Sequence, residues 1–406
     1  SATQFEAYNA YGISQTPALG YQPGYLRTRT AEVRLASAGE SWLQWTLGAF
    51  YEKRRDYIDS HVTRAAADGS APDPLQDISY RFVANRLRQL AGFAEASFRP
   101  ADALTLTGGL RYYDYEKVTG GQTLLGSVLT GSVVSPYSER TARTNGWLFK
   151  ANASYEFSSD VMVYANAAQG YRPGGANNIP SLQNSLVTYR PDSLWSYEAG
   201  VKSRWFGGMV TMNAALFQID WKDMQVTART GDGLFIFLAN AGGARVRGGE
   251  LELSARPAHG VELSATFGHV IGKLTSDQVI AGFQGAASGG RKGDRLGMAP
   301  WTASASASYA WPLTSTLDGT VRADLTYTGE GRTGFNPADP YFTTDGDFAM
   351  VNLRAGMQND RLGLYLFVQN LADTNGIASR VSTSGAPNLS FSIPPRTIGA
   401  NIRLTY

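Results

Sequence analysis

Trp301-Thr-Ala-Ser-Ala-Ser-Ala-Ser-Tyr-Ala-Trp311 is the stretch that decides the fold. Trp301, Ala303, Ala305, Ala307, Tyr309 and Trp311 share one face, and Thr302, Ser304, Ser306 and Ser308 share the other. Such alternation marks a β-strand with one apolar and one polar side. Tryptophans close both ends of the apolar side, with small residues between them. Ten residue steps rise ~33 Å at ~3.3 Å each. With the strand tilted about 40°, they cover ~25 Å, the height of the apolar band between the aromatic girdles of a membrane β-barrel.

Working outward, 195–205 repeats the design, with Trp195, Tyr197, Ala199, Val201 and Trp205 opposite Ser196, Glu198, Lys202 and Arg204. In 147–157, Trp147, Phe149, Ala151, Ala153, Tyr155 and Phe157 oppose Lys150, Asn152, Ser154 and Glu156. In 321–328, Val321, Ala323, Leu325 and Tyr327 oppose Arg322, Asp324, Thr326 and Thr328. Strands of about ten residues are long for a soluble sheet, where ~5–6 is usual. A soluble β-sandwich or propeller shares simple alternation, but no repeat of ~40–50 residues is present. In 209–221 the apolar parity drifts from Val210, Met212 and Ala214 to Phe217, Ile219 and Trp221, which predicts a bulge or register change.

Strands are expected near 30–37, 42–54, 89–99, 103–115, 146–157, 160–171, 194–205, 209–221, 244–256, 261–272, 301–311, 319–329, 348–358, 361–371 and 396–406. Tight junctions at 38–41, 100–102, 158–159, 206–208, 257–260, 312–318 and 359–360 alternate with long ones at 55–88, 116–145, 172–193, 222–243, 273–300, 330–347 and 372–395. Short periplasmic turns and long extracellular loops are the plan of an outer-membrane barrel. The last strand follows a long loop and so ends in the periplasm, while residues 1–29 fall on the extracellular side. The count is about fifteen, whereas single-chain bacterial barrels close with an even number. A strand within 1–29 would make sixteen.

Composition narrows the classes. The 406 residues include 45 Gly, 21 Tyr and 8 Trp, and 36 basic residues balance 34 acidic ones. No polybasic block suggests nucleic acid. The absence of cysteine excludes disulfides and thiolate metal sites. No run approaches the ~18 apolar residues of a membrane helix. The mean hydropathy of −0.23 suits strands that turn half their residues to a polar lumen.

Several stretches, in this order, resemble TonB-dependent receptors of the outer membrane: Ala31-Glu-Val-Arg-Leu-Ala-Ser37 with Trp45-Thr-Leu-Gly-Ala-Phe-Tyr51, Val163-Tyr-Ala-Asn-Ala-Ala-Gln-Gly-Tyr-Arg-Pro-Gly-Gly175, Ser196-Tyr-Glu-Ala-Gly-Val-Lys202, Ala215-Leu-Phe-Gln-Ile-Asp-Trp221, Asn240-Ala-Gly-Gly-Ala-Arg-Val-Arg-Gly-Gly-Glu250 and Val368-Gln-Asn-Leu-Ala-Asp373. The resemblance covers nearly the whole chain. It implies an all-β, transmembrane, antiparallel up-and-down barrel in which residues 1–406 supply about 15 of 22 strands. It also implies that the plug domain, through which TonB acts, lies upstream. A ferric siderophore is the default cargo; haem, cobalamin, nickel complexes and oligosaccharides use the same barrel. The final strand, with Ile402, Leu404 and Tyr406 on its apolar face, resembles the signal read by the barrel-assembly machinery.

Binding of a bulky anionic chelate calls for aromatic and cationic side chains near the outer strand ends. The candidates are Tyr171, Arg172, Arg190, Arg245, Arg247, Arg291 and Arg295. The alternative is that these arginines are solvated, or pair with loop carboxylates or lipopolysaccharide phosphates. No catalytic group, metal site or cofactor is expected. His61, His259 and His269 fall on an outer loop, a periplasmic turn and a strand, and Gly289-Gly-Arg-Lys-Gly-Asp294 lacks the order of a phosphate loop. A sixteen-stranded porin and a barrel-anchored enzyme or adhesin stand as the rival readings.

Overall fold

The computed structural model describes residues 7–8, 18–39, 41–66, 70–126, 133–179, 182–229, 237–277, 290–335, 337, 342–383 and 386–404, together with residue 236. It is built almost wholly from antiparallel strands. Fifteen long strands follow in chain order: β1 (Gly24–Ala36), β2 (Leu43–Arg64), β3 (Asp77–Ala101), β4 (Leu104–Leu125), β5 (Ser135–Ser158), β6 (Val161–Arg172), β7 (Asp192–Trp205), β8 (Val210–Lys222), β9 (Ala244–Ala255), β10 (Val261–Leu274), β11 (Trp301–Thr314), β12 (Leu317–Thr328), β13 (Phe348–Gln358), β14 (Leu362–Gln369) and β15 (Thr397–Leu404). Each pairs with the next, as expected for an up-and-down barrel. The alternation of short turns with long segments holds throughout.

Residues 18–21 do not add a sixteenth spanning strand. Ala18↔Arg64 and Tyr21↔His61 share the register of Gly24↔Ile58, so they prolong β1 across Gln22 and Pro23. Among the described residues β1 has no second spanning neighbour and β15 pairs only with β14.

The two faces differ as the sequence requires. One bears Leu216, Leu366 and Ile398, which are 72%, 69% and 75% exposed. Large apolar side chains left bare on this scale need lipid against them. The other face carries the charged and small residues and turns to the lumen. Trp195 and Trp301 sit at the long-segment end of the bare face, and Trp205 and Trp311 at the short-turn end.

Two expectations change. The long junctions at 55–88 and 116–145 are largely ladder: β2 and β3 pair up to Thr63↔Asp77, and β4 and β5 up to Thr123↔Ser135. Those upper halves read as loops because they leave the lipid and lose the apolar face that marks a spanning strand. Backbone pairing continues them, joined by polar and stacked side chains such as His61 with Asp77 and Tyr80.

The bulge expected in 209–221 is absent, and Trp205↔Val210 runs unbroken to Ser193↔Lys222. Instead, the apolar side changes. Met212, Ala214 and Leu216 face lipid, whereas above them Gln218 and Asp220 hold that side and Phe217 faces inward, where it approaches Gly248. At the outer interface the lipid side becomes wet while the inner side gains cover from the overlying segments.

Among the turns, 256–260 has a specific requirement. Gly260 lies at φ 76°, and a Cβ there would meet the Ala310 carbonyl oxygen at 1.9 Å.

A cation–aromatic wall at the outer mouth

The lumenal face of β2–β4 places Phe50, Phe93 and Arg111 together. The Arg111 guanidinium carbon lies 5.2 Å from the Phe50 centroid and 5.9 Å from that of Phe93. Arg34 reaches the same Phe93 ring at 5.7 Å. Above them Leu87, Ala91, Tyr113 and Tyr115 form a buried cluster that Phe50 and Tyr171 pack against. Tyr171 stacks on Tyr113 with centroids 3.9 Å apart, and its hydroxyl accepts a hydrogen bond of 3.0 Å from Gln89. The Tyr115 hydroxyl accepts the backbone N–H of Gly174, which holds the start of the 173–191 segment against the wall.

That segment has a second anchor in Arg81, whose guanidinium donates to the Asn178 carbonyl. Burial pulls the Arg81 pKa below the usual arginine range, yet an arginine so placed keeps its charge. Lys117 donates to the Tyr189 hydroxyl at 3.0 Å.

Arg172 is a structural tie. With Asp192 it forms an ion pair in which the carboxylate, 2% exposed, also accepts the backbone N–H groups of Arg172 and Gln225. The Gln225 amide in turn donates to the carbonyls of Pro173 and Arg190. This knot fixes the hairpin Gln225–Arg229 with Ile236–Asn240 over the mouth. Arg190 sits at its edge, paired with Asp223 at 2.7 Å.

The remaining candidates point elsewhere. Arg245 and Arg247 share the side of Leu251, opposite Asp220 and Gln218, so they face the membrane side and not the lumen. The alternating Ala244 and Val246 are buried. Arg295 bridges Lys273, itself opposite Arg245, and shares that outward side. Arg291 caps a turn through its backbone N–H to Asp294. Of the seven, Tyr171 alone joins the inner aromatic wall. Tyr406 lies outside the described residues; Ile402 and Leu404 are exposed on the lipid side of β15.

The histidines do not converge. His61 pairs with Asp77 at 2.7 Å and stacks on Tyr80, and the His269 ring lies against Trp301 with Nδ1 2.9 Å from the Pro300 carbonyl. Among the described residues no three His, Cys, Asp or Glu side chains are placed to hold a metal.

Arg111, Phe50, Phe93 and Gln89 escaped the sequence reading. Their signal is parity: Arg111, Tyr113 and Tyr115 in the expected strand 103–115, and Lys117 just beyond it, all lie on the polar side of β4.

The fold and this wall define a large up-and-down β-barrel whose mouth is lined by side chains and roofed by outer segments. The chain belongs to the TonB-dependent receptor family, whose barrel, described as "TonB dependent receptor-like, beta-barrel", matches residues 2–371. The pesticin receptor of Yersinia pestis is 24% identical over 390 residues, covering 92% of this chain and 51% of that receptor. The ferripyoverdine receptor of Pseudomonas aeruginosa is 24% identical over 236 residues, 57% of this chain and 26% of that protein. The crystal structure of the ferric yersiniabactin uptake receptor of Yersinia pestis shares the fold with a TM-score of 0.78 at 20% identity, covering 95% of this chain and 55% of that one. The chain thus spans about half the length of the pesticin receptor it matches.

Proposed function

We propose that these residues form the barrel of an outer-membrane receptor for TonB-energised uptake of a ferric siderophore. The observation that carries this reading is the inner wall, where Arg111 is set between Phe50 and Phe93 below the Tyr113–Tyr171 stack. A cation among aromatic faces suits an anionic chelate with planar iron-binding groups. The ferripyoverdine receptor and the ferric yersiniabactin uptake receptor, to which the chain is similar, support the same cargo class. TonB is the energising partner of the whole receptor, a role that the matched family supports. The barrel-assembly machinery and lipopolysaccharide are its partners in the membrane. Neither a catalytic step nor a cofactor belongs to this reading.

The test is growth under iron limitation on single ferric siderophores. Deleting the gene removes growth on one of them, the intact gene restores it, and Arg111→Ala restores it poorly. Undiminished growth of the deletion strain on every ferric siderophore would overturn the cargo. A sixteen-stranded porin is disfavoured by residues 18–21, which extend β1 instead of supplying a closing strand.

A further inference from the structure

On the lipid side of β1–β3, just beyond the apolar band, six cations stand in two rows. Arg29 is directly opposite Lys53, and Lys53 is opposite Arg88; one step higher, Arg27 is opposite Arg55, and Arg55 is opposite Arg86. Burial in β3 gives their side: Arg86 and Arg88 are exposed, while the alternating Leu87 and Gln89 are buried. Residues directly opposite in an antiparallel pair hold their Cβ atoms only ~5 Å apart, and like charges there are destabilising. Two consecutive rows of three cations accumulate that repulsion, so the arrangement calls for external anions.

The carboxylates nearby do not meet the demand. Glu139 takes Arg86 at 2.7 Å, Glu116 is opposite Arg88 but pairs with Arg143, and Asp114 lies one step lower, opposite Leu90. All three stand on the β4–β5 side. Arg27, Arg29, Lys53 and Arg55 have no carboxylate partner among the described residues.

The surroundings select the ligand. Directly below the rows lie Ala31, Tyr51 and Leu90, and below those Val33, Leu35 and Leu47, the lipid-facing band. Above them Tyr25 stacks on Tyr57 with centroids 5.5 Å apart. The cations therefore sit at headgroup height, with acyl-chain surface beneath. Guanidinium forks match phosphate oxygens in pairs. A shorter row on the same side runs from Arg245 on β9 through Lys273 on β10 to Arg295 in the following segment, and there Asp220 on β8 already pairs with Arg245.

We propose that Arg27, Arg29, Lys53, Arg55 and Arg88 form a binding site for the phosphate groups of an acylated, multiply phosphorylated glycolipid of the outer leaflet. The site rests on the outer-membrane reading but not on the cargo, and none of its residues lines the inner wall. A failed siderophore test leaves it standing, and its own failure leaves the cargo untouched.

The test uses the folded receptor in neutral detergent micelles, titrated with bis-phosphorylated lipid A and followed by native mass spectrometry. The triple variant Arg27→Gln/Lys53→Gln/Arg55→Gln is expected to bind about a hundredfold more weakly, at roughly a factor of five per cation near a charged lipid surface. Arg27→Lys/Arg55→Lys is expected to retain most of the binding. In wild-type protein, affinity falls steeply with added salt, a readout that stands even where the triple variant fails to fold. Equal binding by the triple variant, equal binding of lipid A stripped of its phosphates, or indifference to salt each overturns the proposal. Displacement by inorganic pyrophosphate at concentrations matching lipid A overturns the lipid in favour of free phosphate.

Discussion

Tyr171 lies flat on Tyr113, ring centroids 3.9 Å apart and planes 9° apart, although β5 separates their strands. Gly146 on β5 makes the approach possible, since a Cβ there would stand 2.7 Å from the Tyr113 hydroxyl. Stacked aromatic pairs contribute ~1 kcal/mol beyond their burial. Tyr171→Ala is therefore expected to lower siderophore affinity about fivefold, measured by equilibrium binding to the receptor, whereas Tyr171→Phe keeps the stack and most of the affinity. Equal loss from both variants would show that the Gln89 hydrogen bond, not the ring, is what counts.

Asp192 gathers Arg172, the N–H of Gln225 and its own strand into one buried knot. Removing one member of such a pair costs about 3–5 kcal/mol in a fully buried site, and about half that here because Arg172 is half-exposed. Asp192→Ala is expected to speed hydrogen exchange at Gln225–Arg229 and Ile236–Asn240 while leaving β7 and β8 protected. Unchanged exchange in that hairpin would remove Asp192 from its anchoring role.

Asn370 is 1% exposed; its side chain donates to the carbonyls of Thr374 and Pro394 and accepts the Thr374 N–H. It ties the end of β14 to the approach of β15. Leaving such buried backbone groups unpaired costs ~1–3 kcal/mol each. Asn370→Ala should lower the temperature at which the folded barrel loses its heat-resistant gel mobility, and Asn370→Asp should lower it less.

Leu216→Arg tests the face assignment. A cation in the middle of the lipid-facing band costs about 2–4 kcal/mol, so this variant is expected to reduce the yield of folded barrel sharply. Arg247→Leu, higher on the same side, should leave the yield unchanged. Comparable yields for Leu216→Arg and wild type would place Leu216 in the lumen.

Gly260→Ala must meet both a left-handed backbone and the Ala310 carbonyl. We expect a thermal midpoint several degrees lower in a folded-fraction assay, from a cost of ~1–3 kcal/mol, against little change for Gly92→Ala, where a Cβ meets nothing within 4 Å.

Much of the spanning architecture was legible because lipid imposes alternation at the right length. Trp301–Trp311 and Trp195–Trp205 carry their full height in the sequence. What escaped lies above the interface. There Leu87 and Tyr113 turn inward while Arg86 and Arg88 turn outward, so the apolar residues change sides without any change in pairing. Read by hydropathy alone, that inversion looks like a bulge in 209–221 and like loop in 55–64 and 77–88. The site suffered in the same way: Arg245, Arg247 and Arg295 stand at the right height but on the opposite side of the wall from Tyr171. Arg111, between them in neither sense, was hidden among ordinary lumenal residues.

The length of the early strands has a mechanical consequence. β2–β5 run for 22, 25, 22 and 24 residues, about twice the ~9–11 that a membrane crossing needs. One flank of the mouth is thus a continuous sheet stiffened by its own ladder far above the lipid. The opposite flank gains its height from separate hairpins fastened at points such as Asp192 and Asn370. Height on the first flank is therefore a property of the backbone ladder, and on the second a property of a few buried side chains. Losing Asp192 or Asn370 would cost the second flank part of its height, whereas the first flank hangs on no single side chain.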